Sequence, residues 1–210
     1  MEDTTVSLSP VNETPVFDTD KLVSINFVPH TVYVLCGPTM CGKSTFARSL
    51  LGKIEDEGHS VNLLSSDGYR ASLLWTSSTM RPSLASDADY RHSSSALSVS
   101  RQAFDLLFAS LKAAISFPVC TEAVIIDTTG FDITFREDIC KIAKSHNYRT
   151  CLVTFDYKSR ADYLMDTMTP EQVNIANLSR DKFRRKILPS LKAAMFDERI
   201  RVKTRYSTVE

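Results

Sequence analysis

Several features common in other protein classes are missing from this 210-residue sequence. It has no signal peptide and no apolar run of about 18 residues, so we expect no membrane span and a cytoplasmic location. The 25 basic residues balance 25 acidic ones, so the molecule as a whole has no net charge that would attract a polyanion. A hydrophobic content of 43% over this length suits one sizeable core and therefore one domain.

Cysteine and histidine are too scattered to predict a metal site or a disulfide framework. The five cysteines are odd in number and form no C-x-x-C pair, and the four histidines show no metal-ligand spacing. We therefore expect reduced thiols and no structural zinc. Cys41 precedes a predicted helix, where the thiol pKa is often lowered, although a loop that needs a small residue explains it equally well.

Charge is unevenly distributed along the chain despite the neutral total. Residues 1–20 contain five acidic residues and no basic one, in a composition typical of disorder. Residues 178–205 contain ten basic residues against three acidic ones, a local charge of +7. This basic segment indicates either a contact surface for an anionic partner or an ordinary solvated helix face. We expect a disordered acidic leader over 1–20 and one domain over 21–210.

Strand-like and helix-like segments alternate through most of the chain. The predicted strands are Thr31–Cys36, Val61–Ser65, Ala123–Asp127, Arg149–Phe155 and Arg199–Arg205. The predicted helices are Thr45–Glu57, 97–114, Arg136–Asn147 and Gln172–Lys192, the last broken near Pro189, and residues 71–95 are predicted to be a long loop. This alternation predicts an α/β fold, a parallel sheet of four to five strands with helices on both faces.

The strongest motif follows the first predicted strand and fits G-x-x-x-x-G-K-[ST] at every fixed position. Such a loop curls its backbone N–H groups around phosphate oxygens, and the N-terminus of the next helix points at the same anion. Lys43 is expected to reach the β- and γ-phosphates from a solvent-facing position, and the Ser44 hydroxyl is expected to bind Mg²⁺. The predicted nucleotide-binding residues are Gly37, Pro38, Thr39, Met40, Cys41, Gly42, Lys43, Ser44 and Thr45.

Asp67 and Arg70 follow the second predicted strand. The carboxyl ends of parallel strands share one edge of a sheet, so Asp67 is expected near the phosphate loop. A carboxylate there can accept the proton of an attacking hydroxyl, and Arg70 can hold an anionic group of the acceptor. A plain helix N-cap is the competing interpretation of Asp67.

Residues 31–190 resemble the kinase domain of polynucleotide 5′-hydroxyl kinases, of the bacteriophage and bacterial polynucleotide kinase-phosphatase type. The resemblance is carried, in order, by the phosphate loop with Thr45-Phe46-Ala47, Ser65-Ser66-Asp67 with Arg70, Ser86-Asp87-Ala88-Asp89 before Ala103-Phe104, and Val124–Gly130 with Arg136. It implies a P-loop kinase-like fold and transfer of the γ-phosphate of ATP or GTP, with Mg²⁺, to the 5′-hydroxyl end of RNA or DNA in nucleic-acid repair.

The same resemblance implies roles for individual residues. Lys43, Asp67 and Arg70 would be catalytic, with Asp67 as the general base and Arg70 on the phosphate beside the acceptor sugar. Ser44 and Asp127 would hold Mg²⁺. The resemblance also makes the chain a candidate domain of a larger repair protein.

The predicted lid, about residues 158–186, departs from the family pattern. That family places arginines there to clamp the donor phosphates, whereas residues 162–172 contain none. Arg160 precedes the segment, and Arg180, Arg184 and Arg185 follow it. The candidates for lid or acceptor contacts are Arg136, Arg180, Arg184 and Arg185.

Three other functions share parts of this pattern. A small-molecule P-loop kinase, zeta-toxin-like or adenylylsulfate-kinase-like, has the same Asp-x-x-Arg element. A GTPase-like switch would use Asp127–Gly130 as its D-x-x-G, but the sequence has no N-K-x-D or T-K-x-D element. A catalytically weak nucleotide-binding module would explain the missing lid arginines.

Overall fold

The strands form one fully parallel sheet. The computed structural model describes residues 16–18, 25–77, 99–156, 169–191 and 195–203. Its strands are β1 (Val16–Asp18), β2 (Thr31–Cys36), β3 (Val61–Ser65), β4 (Ala123–Asp127), β5 (Arg149–Asp156) and β6 (Glu198–Lys203). They lie in the order β1-β6-β5-β2-β4-β3, with all pairs parallel. The predicted α/β fold is confirmed.

The helices cover both faces of this sheet. They are α1 (Lys43–Asp56), α2 (Ser66–Ser77), α3 (Ser100–Ile115), α4 (Ile133–Ser145) and α5 (Pro170–Lys182), which continues as a π-helical turn at Phe183–Ile187 and a 3-10 turn at Leu188–Ser190. In β2, Tyr33 and Leu35 pack against α1, while Val32 and Val34 pack in the layer of α3 and α4. Successive residues of a strand point to opposite faces, so one buried strand supplies both cores.

Two regions of regular structure were not predicted from the sequence. Val16–Asp18, inside the predicted disordered leader, pairs in parallel with Arg201–Lys203 as a sixth strand. Residues 71–77, predicted to be loop, belong to α2. The serine-rich composition of this segment does not predict a helix. The helix starts after Ser65, whose hydroxyl accepts a hydrogen bond from the Gly68 N–H at 3.3 Å.

Side-chain caps set the starts of α4 and α5. The Asp132 carboxylate accepts a hydrogen bond from the Phe135 N–H at 3.0 Å, so α4 begins three residues before the predicted start. Thr169 and Gln172 form a reciprocal capping box at α5. None of the helices over the described ranges has the length and apolarity needed to span a bilayer.

Candidate functional site

The carboxyl ends of β2, β3 and β4 meet around one crevice. Ser65 at the end of β3 pairs in register with Asp127 at the end of β4, and the Gly37 N–H donates to the Thr129 carbonyl at 3.1 Å. The crevice has a volume of about 510 Å³. It is lined by Thr39, Met40, Cys41, Gly42, Lys43, Ser44, Thr45, Arg48, Ser66, Asp67, Arg70, Phe104, Asp127, Thr128 and Thr129. The fold therefore brings the phosphate loop, Asp67, Arg70 and Asp127 together, as the sequence predicts.

The phosphate loop has the curled backbone that anion binding requires. Met40 and Gly42 adopt left-handed conformations, with φ values of 63° and 82°. Such residues turn successive N–H groups toward one point. Gly42 is the N-cap of α1 and supplies no side-chain hydrogen bond, so the first N–H groups of α1 can serve a phosphate.

Lys43 is buried, which corrects the expectation of a solvent-facing side chain. It is 8% exposed, and its Nζ donates to the Pro38 carbonyl at 2.7 Å. A second contact joins Nζ to the Cys41 Sγ at 3.6 Å. The curl of the loop turns these acceptors toward the ammonium group. A bound phosphate would have to compete with them for Lys43.

Ser179 of α5 contacts the phosphate loop, and the sequence contains no signal for this contact. The Thr39 N–H donates to the Ser179 Oγ at 2.9 Å, across 140 residues of sequence. A single serine inside a helix is usually solvated or bonded to its own helix. The hydrogen bond therefore joins the predicted lid region to the loop that would hold the phosphates.

Burial, rather than the helix N-terminus, has the larger effect on the thiol pKa of Cys41. Its thiol is fully buried, and this burial raises its pKa, against the lowering effect of nearby Lys43. Burial also raises the pKa of Cys36 to about 12. The cysteines of the described residues are all free thiols, as expected. Neither Cys36 nor Cys41 therefore has the character of a reactive thiolate.

Asp67 and Arg70 form an ion pair at the other side of the crevice. They lie three residues apart in α2, with an Arg70 Nη2 to Asp67 Oδ1 contact. The Asp67 side chain is 40% exposed and that of Arg70 is 17% exposed. Ser65 occupies the N-cap position of α2, so capping does not account for Asp67.

Asp127 and Ser44 offer the oxygen atoms that Mg²⁺ prefers. Asp127 ends β4 and is 9% exposed, while Ser44 lies in the first turn of α1, and both line the crevice. Among the described residues, no group of three acidic, histidine or cysteine side chains could hold a metal. This donor set fits a Mg²⁺ ion shared with substrate phosphates rather than one enclosed by protein ligands.

The turn after β4 packs against β2, which explains its glycine. Gly130 has a φ of 62°, and a Cβ atom there would lie 2.7 Å from the Leu35 carbonyl oxygen. The Gly130 carbonyl accepts from the Cys36 Sγ at 3.3 Å. Backbone packing is thus a sufficient reason for glycine in Asp127–Gly130, without sensing of a γ-phosphate.

Arg136 lies inside the protein rather than in the crevice. The sequence suggested a lid or acceptor contact, but the residue is 0% exposed. Its Nη1 donates to the Gly130 carbonyl and its Nη2 to the Ser190 Oγ at 3.4 Å. Since α4 begins at Ile133, Arg136 falls on its inner face and connects two backbone turns.

Arg48 and Phe104 also line the crevice. The sequence pattern gave Arg48 no role, whereas Phe104 belongs to the segment that resembles the acceptor-side helix of polynucleotide kinases. Arg48 is an exposed residue of α1, one helical turn after Ser44. Phe104 comes from α3, which packs beside α2. Neither residue belongs to the loop motif, so only the packing of α1 and α3 places them at this site.

Comparison with known proteins identifies the family. The sequence of residues 32–161 matches the family described as AAA domain. This match covers more than half of the chain. The chain belongs to the AAA domain family. A search of the curated proteins finds no match.

Several solved structures are similar to this chain. A putative kinase from Chloroflexus aurantiacus has 14% identity and a TM-score of 0.52, over 84% of this chain and 86% of that one. The AvrRxo1-ORF1 and AvrRxo1-ORF2 complex with sulphate ions has 14% identity and a TM-score of 0.50, over 82% and 54%. Mycobacterium tuberculosis APS kinase CysC with AMPPNP and APS has 14% identity and a TM-score of 0.44, over 83% and 88%.

At such low identity, the two likenesses with a TM-score of at least 0.50 show the fold alone. The chain has a nucleotide-binding, P-loop kinase-like α/β fold.

The C-terminal arginines lie beyond the AAA domain match. Arg180 is next to Ser179 in α5, and its Nη2 contacts the Asp181 carboxylate at 3.2 Å. Arg184 and Arg185 are exposed in the π-helical turn. None of these three lines the crevice in the described part of the chain. Residues 158–168 of the predicted lid, and Ser86–Asp89 of the family resemblance, lie outside the described residues.

Proposed function

We propose that this AAA domain protein is a polynucleotide 5′-hydroxyl kinase, which transfers the γ-phosphate of ATP or GTP to the 5′-hydroxyl end of RNA or DNA. The observation that carries the proposal is the position of Asp67 and Arg70 across one crevice from the phosphate loop. Such a crevice can bind a phosphate donor and a hydroxyl acceptor next to each other. A role in nucleic-acid end repair, as a domain of a larger protein, agrees with the sequence resemblance.

Asp67 acts as the general base in this proposal. A partly exposed carboxylate can accept the proton of the attacking hydroxyl as the oxygen–phosphorus bond forms and the bond to the β-phosphate oxygen breaks. The neighbouring Arg70 orients the Asp67 carboxylate, and it offers further N–H donors to a phosphate beside the acceptor sugar.

The phosphate loop and Lys43 hold and stabilise the transferred group. Uncapped N–H groups at the start of α1 face the crevice, and Lys43 can exchange the Pro38 carbonyl for a phosphate oxygen. Ser44 and Asp127 would hold Mg²⁺, which neutralises charge on the donor phosphates when bound. Arg48 is a further cation at the crevice, and it supplies part of the positive charge that the arginine-free lid segment lacks.

A small-molecule kinase is the second candidate. The crevice volume of about 510 Å³ falls within the range of sites that enclose a metabolite-sized ligand. The same Asp67 and Arg70 would then act on a small hydroxyl compound that carries an anionic group. Acceptor size therefore separates the two candidates.

An end-labelling assay tests the proposal. The purified chain receives γ-labelled ATP or GTP with Mg²⁺ and a 5′-hydroxyl RNA or DNA oligonucleotide, and the same oligonucleotide with a 5′-phosphate is the blocked control. We expect label on the 5′-hydroxyl oligonucleotide only. Asp67→Asn should lower kcat by about 10²–10⁴-fold, with nucleotide affinity nearly unchanged.

Two further variants control this assay. Lys43→Ala should also lose transfer, by about 10²-fold or more, because the transferring phosphate loses a cation. Glu55→Gln, on the exposed side of α1, should keep wild-type transfer. Hydrolysis of nucleotide without label on any oligonucleotide would reject the nucleic-acid acceptor and favour the small-molecule kinase.

A further inference from the structure

A smaller cavity opens beside the phosphate crevice, and four phenylalanine rings form its walls. We name it the aromatic pocket; it has a volume of about 290 Å³. Phe104 and Phe108 lie one helical turn apart on α3, Phe131 lies in the turn after β4, and Phe135 is in the first turn of α4. Planar rings on several sides favour a flat, apolar occupant.

The rings hold one another in fixed positions. The centroid of Phe135 lies 5.2 Å from that of Phe104 and 5.3 Å from that of Phe108. Phe131 stacks on Phe183 at 5.8 Å, with 26° between the ring planes. Phe104, Phe108 and Phe131 remain partly exposed, so each keeps surface that another planar group can cover. A guest in this pocket would meet preformed walls and order few side chains on binding.

The aromatic pocket is continuous with the acceptor side of the crevice. Phe104, Thr128 and Thr129 line both cavities. Phe104 shares the crevice with Asp67 and Arg70. If the hydroxyl of a nucleoside lies at Asp67, the rest of that nucleoside can therefore extend into the adjoining aromatic pocket.

The charged residues around the aromatic pocket indicate which part of that nucleoside it can bind. Its charged lining residues are Asp132 and Asp138, and the described lining contains no lysine or arginine. One cation lies outside the lining: the Lys182 Nζ is 5.8 Å from the centroid of Phe131. Asp132 caps α4, and Asp138 pairs with Lys141 at 3.3 Å, so both are held near the pocket. Carboxylates repel phosphate but accept hydrogen bonds from amino groups. The phosphates thus belong in the crevice, which contains Lys43, Arg48 and Arg70, and a neutral base belongs in the pocket.

We propose that the aromatic pocket binds the nucleobase of the acceptor's 5′-terminal nucleotide. This inference rests on the proposed kinase function, because it assigns a place to part of that acceptor. Stacking on aromatic rings tolerates every base, since each base has a π face. Loss of one such stack should weaken binding about tenfold.

The test combines acceptors with and without a terminal base. Transfer rates are measured for a 5′-hydroxyl oligonucleotide and for the same strand with an abasic 5′-terminal residue. For the wild type, we expect the abasic strand to show a KM about tenfold higher and a similar kcat. Phe108→Ala should raise the KM of the normal strand to the abasic value and leave the abasic strand unchanged.

Two more variants separate a binding role from a packing role. Phe108→Leu keeps apolar volume but removes the ring, so it should give the same KM pattern with a near-native melting temperature. Leu106→Ala changes an exposed residue of the same helix and should behave as wild type. These variants keep the test decisive if Phe108→Ala proves unstable.

Three results would overturn the inference. Equal use of normal and abasic strands by the wild type would show that no base is bound. A higher KM for the nucleotide in the Phe108 variants, with the acceptor KM unchanged, would show that the pocket binds the base of the donor nucleotide. Absence of label on every oligonucleotide with the wild type would reject the proposed function itself, and the pocket assignment with it.

Discussion

The buried guanidinium of Arg136 donates hydrogen bonds to oxygens of two separate segments. Its hydrogen bonds to the Gly130 carbonyl and Ser190 hold the turn after β4 against the end of α5's continuation. That turn follows Asp127 and contains Thr128 and Thr129, which line both the crevice and the aromatic pocket. A buried arginine is therefore a structural support of the site and makes no contact within the crevice.

Arg136→Met should lower the free energy of unfolding by about 1–3 kcal/mol, because the buried Gly130 carbonyl loses a donor. Urea unfolding measures this change. Arg149→Met is the matched control, since Arg149 is half exposed and pairs with Glu198 only at 3.8 Å, a pair that contributes at most about 1 kcal/mol. An unchanged urea midpoint for Arg136→Met together with a loss of transfer would instead place Arg136 in the chemistry.

At the scale of elements, α5 is tied to the phosphate loop by one hydrogen bond. The hydrogen bond from the Thr39 N–H to the Ser179 Oγ joins a helix of the predicted lid region to the loop that would hold the donor. Because the bond restrains the loop in its curled form, we infer that it preorganises the phosphate site.

Ser179→Ala should therefore weaken nucleotide binding about fivefold, the effect of losing roughly 1 kcal/mol of loop restraint. The Kd from titration calorimetry measures this effect, and faster hydrogen exchange of the Thr39 amide should accompany it. Asn174→Ala, at an exposed position of the same helix, is the control. Tighter nucleotide binding in Ser179→Ala would show that the serine competes with phosphate instead.

At the scale of the whole molecule, a neutral protein carries a basic C-terminal segment. Residues 178–205 hold a local +7, and Arg184 and Arg185 are exposed within it. If these arginines contact a single-stranded acceptor, its affinity should fall with salt at about −0.7 per phosphate neutralised, in a plot of log K against log salt.

Replacing Arg184 and Arg185 together by glutamine should flatten that slope by about 1.4. Oligonucleotide binding followed by fluorescence anisotropy across salt concentrations measures it. Lys112→Gln with Lys144→Gln is the control, because both lysines are exposed late in helices that run away from the crevice. A higher nucleotide KM with an unchanged slope would assign the two arginines to the donor.

Much of the fold followed from local patterns. Three strand predictions, Thr31–Cys36, Val61–Ser65 and Ala123–Asp127, agree with the structure at both ends. Buried parallel strands are short apolar runs that end at turn residues, so their bounds are visible in the chain itself. Helix α2 was missed because its serine-rich sequence has weak intrinsic helix propensity, and packing beside α3 supplies its stability. The domain limits of 21–210 remain a prediction.

The sequence by itself determined the phosphate loop and the arrival of Asp67 and Asp127 at the same edge. These follow from fixed spacing and from the rule that parallel strands share their carboxyl ends. Only the tertiary structure decided the burial of Arg136, the contact of Ser179 with Thr39, and the aromatic pocket. Each of these depends on contacts between segments that are far apart in the sequence. Which neighbour covers a residue depends on how the layers pack, and periodicity along the chain does not contain that information.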